Sequence, residues 1–238
     1  MQYFGGKHRI AKSIINFLNK IRKPNQVFLE PFLGGANIII GMENPRTGSD
    51  FHEDLIMLYK SIQDGSFVYP QSISEEDYHR LKSEKPSALR ALVGFGCSYS
   101  GKWFGGYARS GARNYCLNAV NSLRKKSKGF DGIEFLHKDY KDWNPTDSLI
   151  YADPPYRNHT KIHGNSFDSD EFWDVVRVWS KNNVVVSSEY EAPDDFICAL
   201  ELTTQTDIRG KTGDKFQRIE RLFMQEDLYR SLALSVAS

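Results

Sequence analysis

The stretch Val27-Phe28-Leu29-Glu30-Pro31-Phe32-Leu33-Gly34-Gly35-Ala36-Asn37 decides the fold, because an apolar run passes directly into a glycine turn. Val27-Phe28-Leu29 predicts a short buried strand that ends at Glu30-Pro31. Residues 32–37 predict a turn, and residues 38–42 predict the start of a helix behind it. Strand, glycine turn and helix in this order open an α/β unit.

The rest of the chain continues this alternation. Further strands are expected at 47–50, 133–136, 148–152 and 183–187, and helices at 12–21, 54–62, 74–81, 114–126 and 172–180. Residues 200–204 and 220–224 predict a closing hairpin with 209–215 as its loop. The pattern predicts a Rossmann-like α/β fold with a mostly parallel sheet and an antiparallel edge.

Length and composition favour one domain with an embedded subdomain, because the chain has 238 residues and is 40% hydrophobic. No signal-peptide pattern opens the sequence, and no run approaches the roughly 20 apolar residues of a membrane span. The three cysteines are not at metal spacing. We therefore expect a reduced cytosolic chain with no disulfide and no metal.

Charge is unevenly distributed along the chain. Residues 86–130 contain no Asp or Glu but eight Lys and Arg. Subtracting these eight charges from the net charge of +1 leaves −7 for the rest of the chain. Five aromatic residues lie among the cations: Tyr99, Trp103, Phe104, Tyr107 and Tyr115. This combination favours a nucleic-acid-binding insert over a merely solvated basic face.

Asp153-Pro154-Pro155-Tyr156 directly follows the predicted strand at 148–152. Two adjacent prolines fix φ and remove two N–H donors, so the segment forms a rigid loop. The Asp153 carboxylate and the Pro154 carbonyl are two acceptors that suit an exocyclic amine such as adenine N6. They would direct its lone pair toward a sulfonium methyl group, and Asp153 would stabilise the positive charge that develops on nitrogen. Tyr156 would stack on the extruded base. A simple Pro-Pro turn with an Asp cap is the alternative.

Two further motifs indicate a ligand without phosphate. The Gly34-Gly35 turn lacks the spacing of a pyrophosphate-binding loop and of a Walker loop. Asp50 ends the next predicted strand, where an acid commonly binds ribose hydroxyls; its alternative role is a helix N-cap. At the start of the chain, Tyr3-Phe4-Gly5-Gly6-Lys7 predicts an anchored loop whose lysine reaches an anion.

Together these motifs resemble the Dam-type (alpha-group) DNA adenine-N6 methyltransferases. The order Tyr3–Lys7, Glu30–Gly35, Asp50, basic insert and Asp153–Tyr156 matches that family over nearly the whole chain. The resemblance implies a methyltransferase sheet that binds S-adenosyl-L-methionine (SAM), releases S-adenosyl-L-homocysteine and carries an inserted, mostly helical DNA-recognition subdomain. It implies a catalytic domain of residues 1–57 and 131–230, an insert of 58–130 and a tail of 231–238.

The resemblance also implies roles for individual residues. Catalysis would involve Asp153, Pro154, Pro155 and Tyr156. The residues implied to line the SAM site are Tyr3, Lys7, Glu30, Phe32, Gly34, Gly35, Asp50, Phe51, Asp139, Tyr140 and Asp153. The residues expected to contact DNA are Lys102, Trp103, Tyr107, Arg109, Arg113, Arg124, Lys125, Lys126, Lys215 and Arg218. Glu220 falls beside the last two, in a late loop expected to approach the target strand.

The sequence departs from the family in three places. Glu30 replaces the usual Asp, Ala36 replaces a frequent third glycine, and the insert is short and divergent. The expected activity is site-specific methylation of a flipped-out adenine in duplex DNA, by a monomer or weak dimer in the cytoplasm of a bacterium or phage-infected cell. The alternatives are an enzyme acting on RNA adenine or cytosine N4, and a DNA-binding relative without activity; Asp153 favours DNA adenine.

Overall fold

The computed structural model describes residues 1–155, 167–209 and 215–236, with side chains for 1–155, 167–203 and 219–232. Its strands are β1 (Val27–Glu30), β2 (Arg46–Asp50), β3 (Ile133–His137), β4 (Ser148–Ala152), β5 (Val184–Glu189), β6 (Phe196–Arg209) and β7 (Lys215–Gln225). Its α-helices are α1 (Ala11–Ile21), α2 (Glu53–Gln63), α3 (Glu75–Lys82), α4 (Ala88–Gly96), α5 (Tyr115–Lys126), α6 (Ser169–Ser180) and α7 (Glu226–Val236).

The seven strands form one sheet in the order β3-β2-β1-β4-β5-β7-β6. The first five strands in this order are parallel, whereas β7 runs antiparallel to both β5 and β6. This arrangement confirms the predicted α/β, Rossmann-like fold and its late antiparallel hairpin. The chain leaves β1 toward β2 on one side and reaches β4 on the other. A crevice therefore opens at the carboxyl ends of β1 and β4, where such sheets bind ligands.

Apolar side chains cover both faces of the sheet. The central strand β4 is buried along its whole length, as expected of a strand covered on both sides. One core cluster joins the sheet to α1, α2, α4 and α5, and a second lies between the sheet and α6. The insert helices therefore share a hydrophobic core with the sheet. No helix in the described part of the chain is long and apolar enough to cross a membrane.

The segment behind the glycine turn differs from the prediction. Instead of a helix starting at residue 38, the chain forms one 3-10 turn, Ile39–Gly41, and enters β2 at Arg46. The reason is length, because too few residues separate the turn from β2 for an α-helix and its exit. The Arg46 guanidinium fixes this connection by donating to the carbonyls of Ile39 and Asp131 at 3.0 and 2.5 Å.

Two predicted domain boundaries fall inside helices. The boundary at 57/58 lies within α2, which packs against both β3 and α4. The boundary at 230/231 lies within α7, which continues to Val236. The helix α4 was missed because Gly94 and Gly96 are poor helix formers. Both glycines are buried, and a methyl group at Gly96 would lie 2.6 Å from the Cβ of Ala119.

We expect Gly94→Ala to lower the free energy of unfolding by up to about 2 kcal/mol. An added methyl would lie 2.6 Å from Cε3 of Trp103 and 2.7 Å from Cε2 of Phe104. Overpacking of this kind costs about 1–3 kcal/mol, and the better helix propensity of alanine recovers only about 1 kcal/mol. Urea unfolding measures the difference, with the exposed-site variant Val68→Ala as a control that should stay within about 0.5 kcal/mol. A more stable Gly94→Ala protein would contradict this packing.

Candidate functional site

The predicted motifs meet at the carboxyl edge of the parallel strands. Strands β1 and β4 pair in parallel, with Leu29 beside Ile150, so the glycine turn and Asp153 leave the sheet side by side. Strand β2 ends next to β1 at Asp50. Segments far apart in sequence thus form one site.

The Asp153 carboxylate lies in an ionic cluster. The Lys7 ammonium is 2.6 Å from its Oδ1 and 3.3 Å from Oε1 of Glu220, which also accepts a hydrogen bond of 3.0 Å from the Ser188 hydroxyl. The side chains of Lys7 and Glu220 are each only 5% exposed, and that of Asp153 is 19% exposed. The lysine thus meets an anion, as predicted, but this anion belongs to the protein itself.

The surroundings of Glu220 differ from the prediction. The strand predicted at 220–224 is confirmed as part of β7, but Glu220, expected to approach the target strand, lies buried beside Lys7. The alternation of side chains along a strand could have predicted the burial of Glu220. It stands two residues before the buried Leu222 and therefore points to the same face of the sheet. Pro154 is buried and Pro155 is partly exposed. Tyr156 lies outside the described residues.

The glycine turn is held from several directions. Gly34 adopts a positive φ of 43°, and its N–H donates to Oδ2 of Asp50 at 2.8 Å. The Tyr59 hydroxyl donates to the Gly34 carbonyl at 2.7 Å. A methyl at Gly34 would lie 2.9 Å from Cε1 of Tyr3, so the ring of Tyr3 packs directly on the turn. Glycine is required here by both backbone conformation and space.

The Asp50 carboxylate accepts two backbone hydrogen bonds at the carboxyl end of β2. Its Oδ1 accepts the His52 N–H at 2.8 Å, immediately before α2, while Oδ2 holds the turn. Burial raises the pKa of Asp50, and the two amide hydrogen bonds oppose that shift. Each carboxylate oxygen has a second lone pair for a ligand hydroxyl. The N-cap residue of α2 is His52, so the alternative prediction of a helix N-cap at Asp50 is wrong, and its carboxylate oxygens keep lone pairs for a ligand.

Glu30 is enclosed beneath the turn. It is 3% exposed, and its Oε2 accepts the Ile39 N–H at 2.9 Å, capping the 3-10 turn. Burial raises the pKa of Glu30 well above its usual value. The longer side chain at this position thus reaches the backbone of the following turn, and its direct contact is with the protein.

Lys126, predicted to contact DNA, is directed to the glycine turn. Its ammonium donates to the Gly35 carbonyl and, at 2.8 Å, to Oδ1 of Asn37. Burial lowers the pKa of Lys126 to about 8, while the charge of Glu30 opposes the shift. The last turn of α5 thus supports the cofactor-side loop.

Aromatic side chains pack into a wall beside the glycine turn, which contributes Phe32. The ring of Phe32 lies 4.9 Å from that of Tyr140 and 5.7 Å from that of Phe172. Asp139 caps the short 3-10 turn that carries Tyr140, accepting the Lys141 N–H at 3.0 Å. The buried Tyr140 hydroxyl has no hydrogen-bond partner within the described structure.

Phe51 stands at the rim of this wall. Its side chain is 61% exposed, although it follows directly after β2 and next to Asp50. The Phe51 carbonyl lies 3.1 Å from Nε2 of His137, which ends β3. A large apolar ring held open to solvent at a site edge suits contact with a flat ligand.

The aromatic residues of the insert are mainly structural. The Trp103 ring packs 4.1 Å from that of His52 and 4.8 Å from that of Phe95. The Tyr107 hydroxyl donates to the Ile73 carbonyl at 2.7 Å. Both rings therefore stabilise the loop after α4, which limits their freedom to stack on a base.

The cations of the insert lie mostly on the surface. The exposed ones among those predicted to contact DNA are Lys102, Arg109, Arg113, Arg124 and Lys125. The Lys102 ammonium lies 4.8 Å from the ring of Phe4, a residue of the same loop as Lys7. Arg109 forms an ion pair with Glu75. Lys215 and Arg218 belong to β7, and their side chains lie outside the described part.

Comparison with known proteins found a matching protein family for the first part of the chain. The model of the D12 class N6 adenine-specific DNA methyltransferases matches residues 3–89. The match confirms, over these residues, the predicted resemblance to the Dam-type adenine methyltransferases. It includes the loop of Lys7, the glycine turn and Asp50. No curated protein sequence matches the chain.

Solved structures of similar fold include several methyltransferases. A putative RNA methyltransferase from Pyrococcus horikoshii is 12% identical, with 93% of this chain and 86% of that chain covered and a TM-score of 0.44. An rRNA methylase from Streptococcus thermophilus is 8% identical, with 90% and 95% covered and a TM-score of 0.38. Magnesium protoporphyrin IX methyltransferase from Synechocystis PCC 6803 with bound SAM is 9% identical, with 92% and 79% covered and a TM-score of 0.40.

We expect Lys126→Met to change the pH dependence of stability. The folded protein releases the Lys126 proton near pH 8, whereas the unfolded chain releases it near 10.5. The unfolded chain binds more protons in this window, so the free energy of unfolding rises with pH there. The free energy of unfolding of wild type, relative to that of Lys126→Met, should rise by about 3 kcal/mol across this window, as measured by urea unfolding.

The exposed neighbour supplies the control for this measurement. Lys125 precedes Lys126 on α5 but is exposed. Wild type and Lys125→Met should therefore differ by a constant amount over the same pH range. A constant difference for Lys126→Met as well would mean that its ammonium is not enclosed at the turn.

Proposed function

We propose that this methyltransferase is a site-specific DNA adenine-N6 methyltransferase that uses SAM. The observation that carries the proposal is the Asp153-Pro154 loop at the end of β4, with its carboxylate held by Lys7 beside the glycine turn. The family match over residues 3–89 supports the same chemistry, because its description names adenine N6 and DNA. We also propose that it acts in the cytoplasm of a bacterium or phage-infected cell, as a monomer or weak dimer on DNA.

The residues around the crevice fit SAM. The glycine turn, on which Tyr3 packs, has no phosphate-loop spacing, which suits a ligand without phosphate. Asp50 has lone pairs available for ribose hydroxyls, and Phe51 offers an exposed ring for the adenine. The unpartnered Tyr140 hydroxyl on the aromatic wall calls for a polar group from a ligand. When bound, SAM supplies an electrophilic methyl group.

Asp153 and Pro154 then act on the target amine. The amino group of adenine is a poor nucleophile, because its lone pair is delocalised into the ring. The Asp153 carboxylate and the Pro154 carbonyl accept its two N–H groups and draw the nitrogen toward tetrahedral geometry. Positive charge develops on this nitrogen during transfer, and the adjacent carboxylate stabilises it. The proline at 154 adds rigidity, since its ring fixes φ.

The insert supports a duplex DNA substrate. Its acid-free sequence leaves exposed cations at the surface, and such cations neutralise phosphates and release counterions. Because Lys7 and Asp153 are enclosed, an adenine must leave the base stack to reach them.

We expect Asp153→Asn to lower the rate of methyl transfer at least about 10²-fold, the usual scale for loss of one preorganised electrostatic group. The substitution keeps the side-chain shape but removes the charge. SAM affinity, measured by calorimetry, should change less than about threefold. Asp147→Asn is the matched control: its carboxylate is 84% exposed and its positive φ of 47° suits asparagine. Loss of SAM binding in Asp153→Asn, or an unchanged rate, would remove Asp153 from the role proposed.

We expect DNA affinity to fall steeply with salt, and Lys102→Gln to reduce the slope of log K against log salt by about 1. Lys102 lies over Phe4, close to the loop that carries Lys7. Titration of duplex DNA at several salt concentrations measures the slope. The exposed Lys20 on α1 provides the control, and Lys20→Gln should leave the slope unchanged. Equal slopes for wild type and Lys102→Gln would place Lys102 outside the interface.

A further inference from the structure

Glu220 is notable because its carboxylate is buried within the ionic cluster. The side chain is 5% exposed, and Oε1 lies 3.3 Å from the Lys7 ammonium and 3.0 Å from the Ser188 hydroxyl. Burial of an unpaired carboxylate is costly, so both neighbours stabilise its ionised form. The antiparallel pairing of β5 and β7, with Ser188 beside Leu222, brings Ser188 and Glu220 together.

The same ammonium is also bound to Asp153, at 2.6 Å. A lysine paired with Asp153 alone would neutralise the charge on which the proposed chemistry depends. With Glu220 on the same ammonium, the three groups together carry a net charge of −1. The ammonium in turn allows two carboxylates to remain ionised close together, which like-charge repulsion would otherwise oppose.

The pKa of the buried Tyr151 hydroxyl is raised in part by the same negative charges. Burial is the main cause that raises its pKa, and the charges of Asp153, Glu30 and Glu220 raise it further. The interior behind the Asp153 loop is therefore a region of low solvation with excess negative charge. In such a region a charge acts strongly on its neighbours, because little water screens it.

We propose that Glu220 is a positioning residue for methyl transfer, which rests on the function proposed above. It holds the Lys7 ammonium on the side away from the substrate and keeps the Asp153–Lys7–Glu220 group at a net −1. Asp153 then remains a strong acceptor for the amine and stabilises the charge that forms on nitrogen. Glu220 itself touches neither substrate nor cofactor in this role.

The test compares Glu220→Gln with Glu220→Asp. Glu220→Gln keeps the shape but removes the charge, and we expect kcat for methyl transfer to fall at least tenfold. The dissociation constants for SAM and DNA should each change less than about threefold. Glu220→Asp restores the charge and should recover most of the lost rate. Glu201→Gln, on the neighbouring strand β6, removes an exposed carboxylate that pairs with Arg221 and should leave kcat unchanged.

The outcomes separate the two proposals. A wild-type protein that transfers no methyl group to DNA contradicts the proposed function. An active wild type with unchanged kcat in Glu220→Gln overturns the role of Glu220. A parallel loss of SAM affinity and rate, without recovery in Glu220→Asp, would assign Glu220 a purely structural role. If Glu220→Gln does not fold, Ser188→Ala replaces it, with an expected fall in kcat of about threefold at constant SAM affinity; an unchanged kcat overturns the proposal.

Discussion

The ion pair between Lys7 and Asp153 joins the first loop of the chain to the end of the central strand, across 146 residues of sequence. It is possible only because the sheet order sets β1 beside β4 and leaves a crevice at their carboxyl ends. Without the ammonium, two buried carboxylates, Asp153 and Glu220, would lie close together with no cation between them. Together with the hydrogen bond from the Phe4 N–H to the Gly101 carbonyl, this contact anchors the amino-terminal loop, whose Tyr3 packs on the glycine turn.

The glycine turn depends on side chains from three different elements. Its backbone is bound by Asp50 from β2, Tyr59 from α2 and Lys126 from α5. Two of these supports come from α2 and α5, which pack on α4 and share the core of the sheet. The insert is thus coupled to the cofactor side of the crevice.

Much of this arrangement could be predicted from local sequence. The apolar run before Glu30, the prolines after Asp153 and the acid at the end of β2 are each specified within a few residues. Parallel pairing then brings them together. The helix expected behind the turn was wrong in extent, since the early start of β2 leaves room only for a 3-10 turn. The functional roles predicted for individual site residues, including Tyr156, Lys215 and Arg218, stay predictions.

The sequence pattern could not predict contacts between residues that are far apart in the chain. Lys126 belongs to a run of cations that indicates a surface, and nothing local reveals that its ammonium turns inward to Gly35 and Asn37. Glu220 lies among basic residues near a predicted loop, yet its partners are Lys7 and Ser188. In both cases the deciding contact involves residues separated by more than 30 positions, and only the folded sheet brings them together.

The most direct test of the proposed adenine-N6 methylation is to identify the methylated base. Wild-type protein is incubated with SAM labelled in its methyl group and with duplex DNA, and the DNA is digested to nucleosides and separated. If the protein methylates adenine N6 in DNA, the label elutes as N6-methyl-2′-deoxyadenosine. Label in N4-methyl-2′-deoxycytidine, label transferred only to RNA, or no transfer to DNA of any sequence by protein that binds SAM would contradict it.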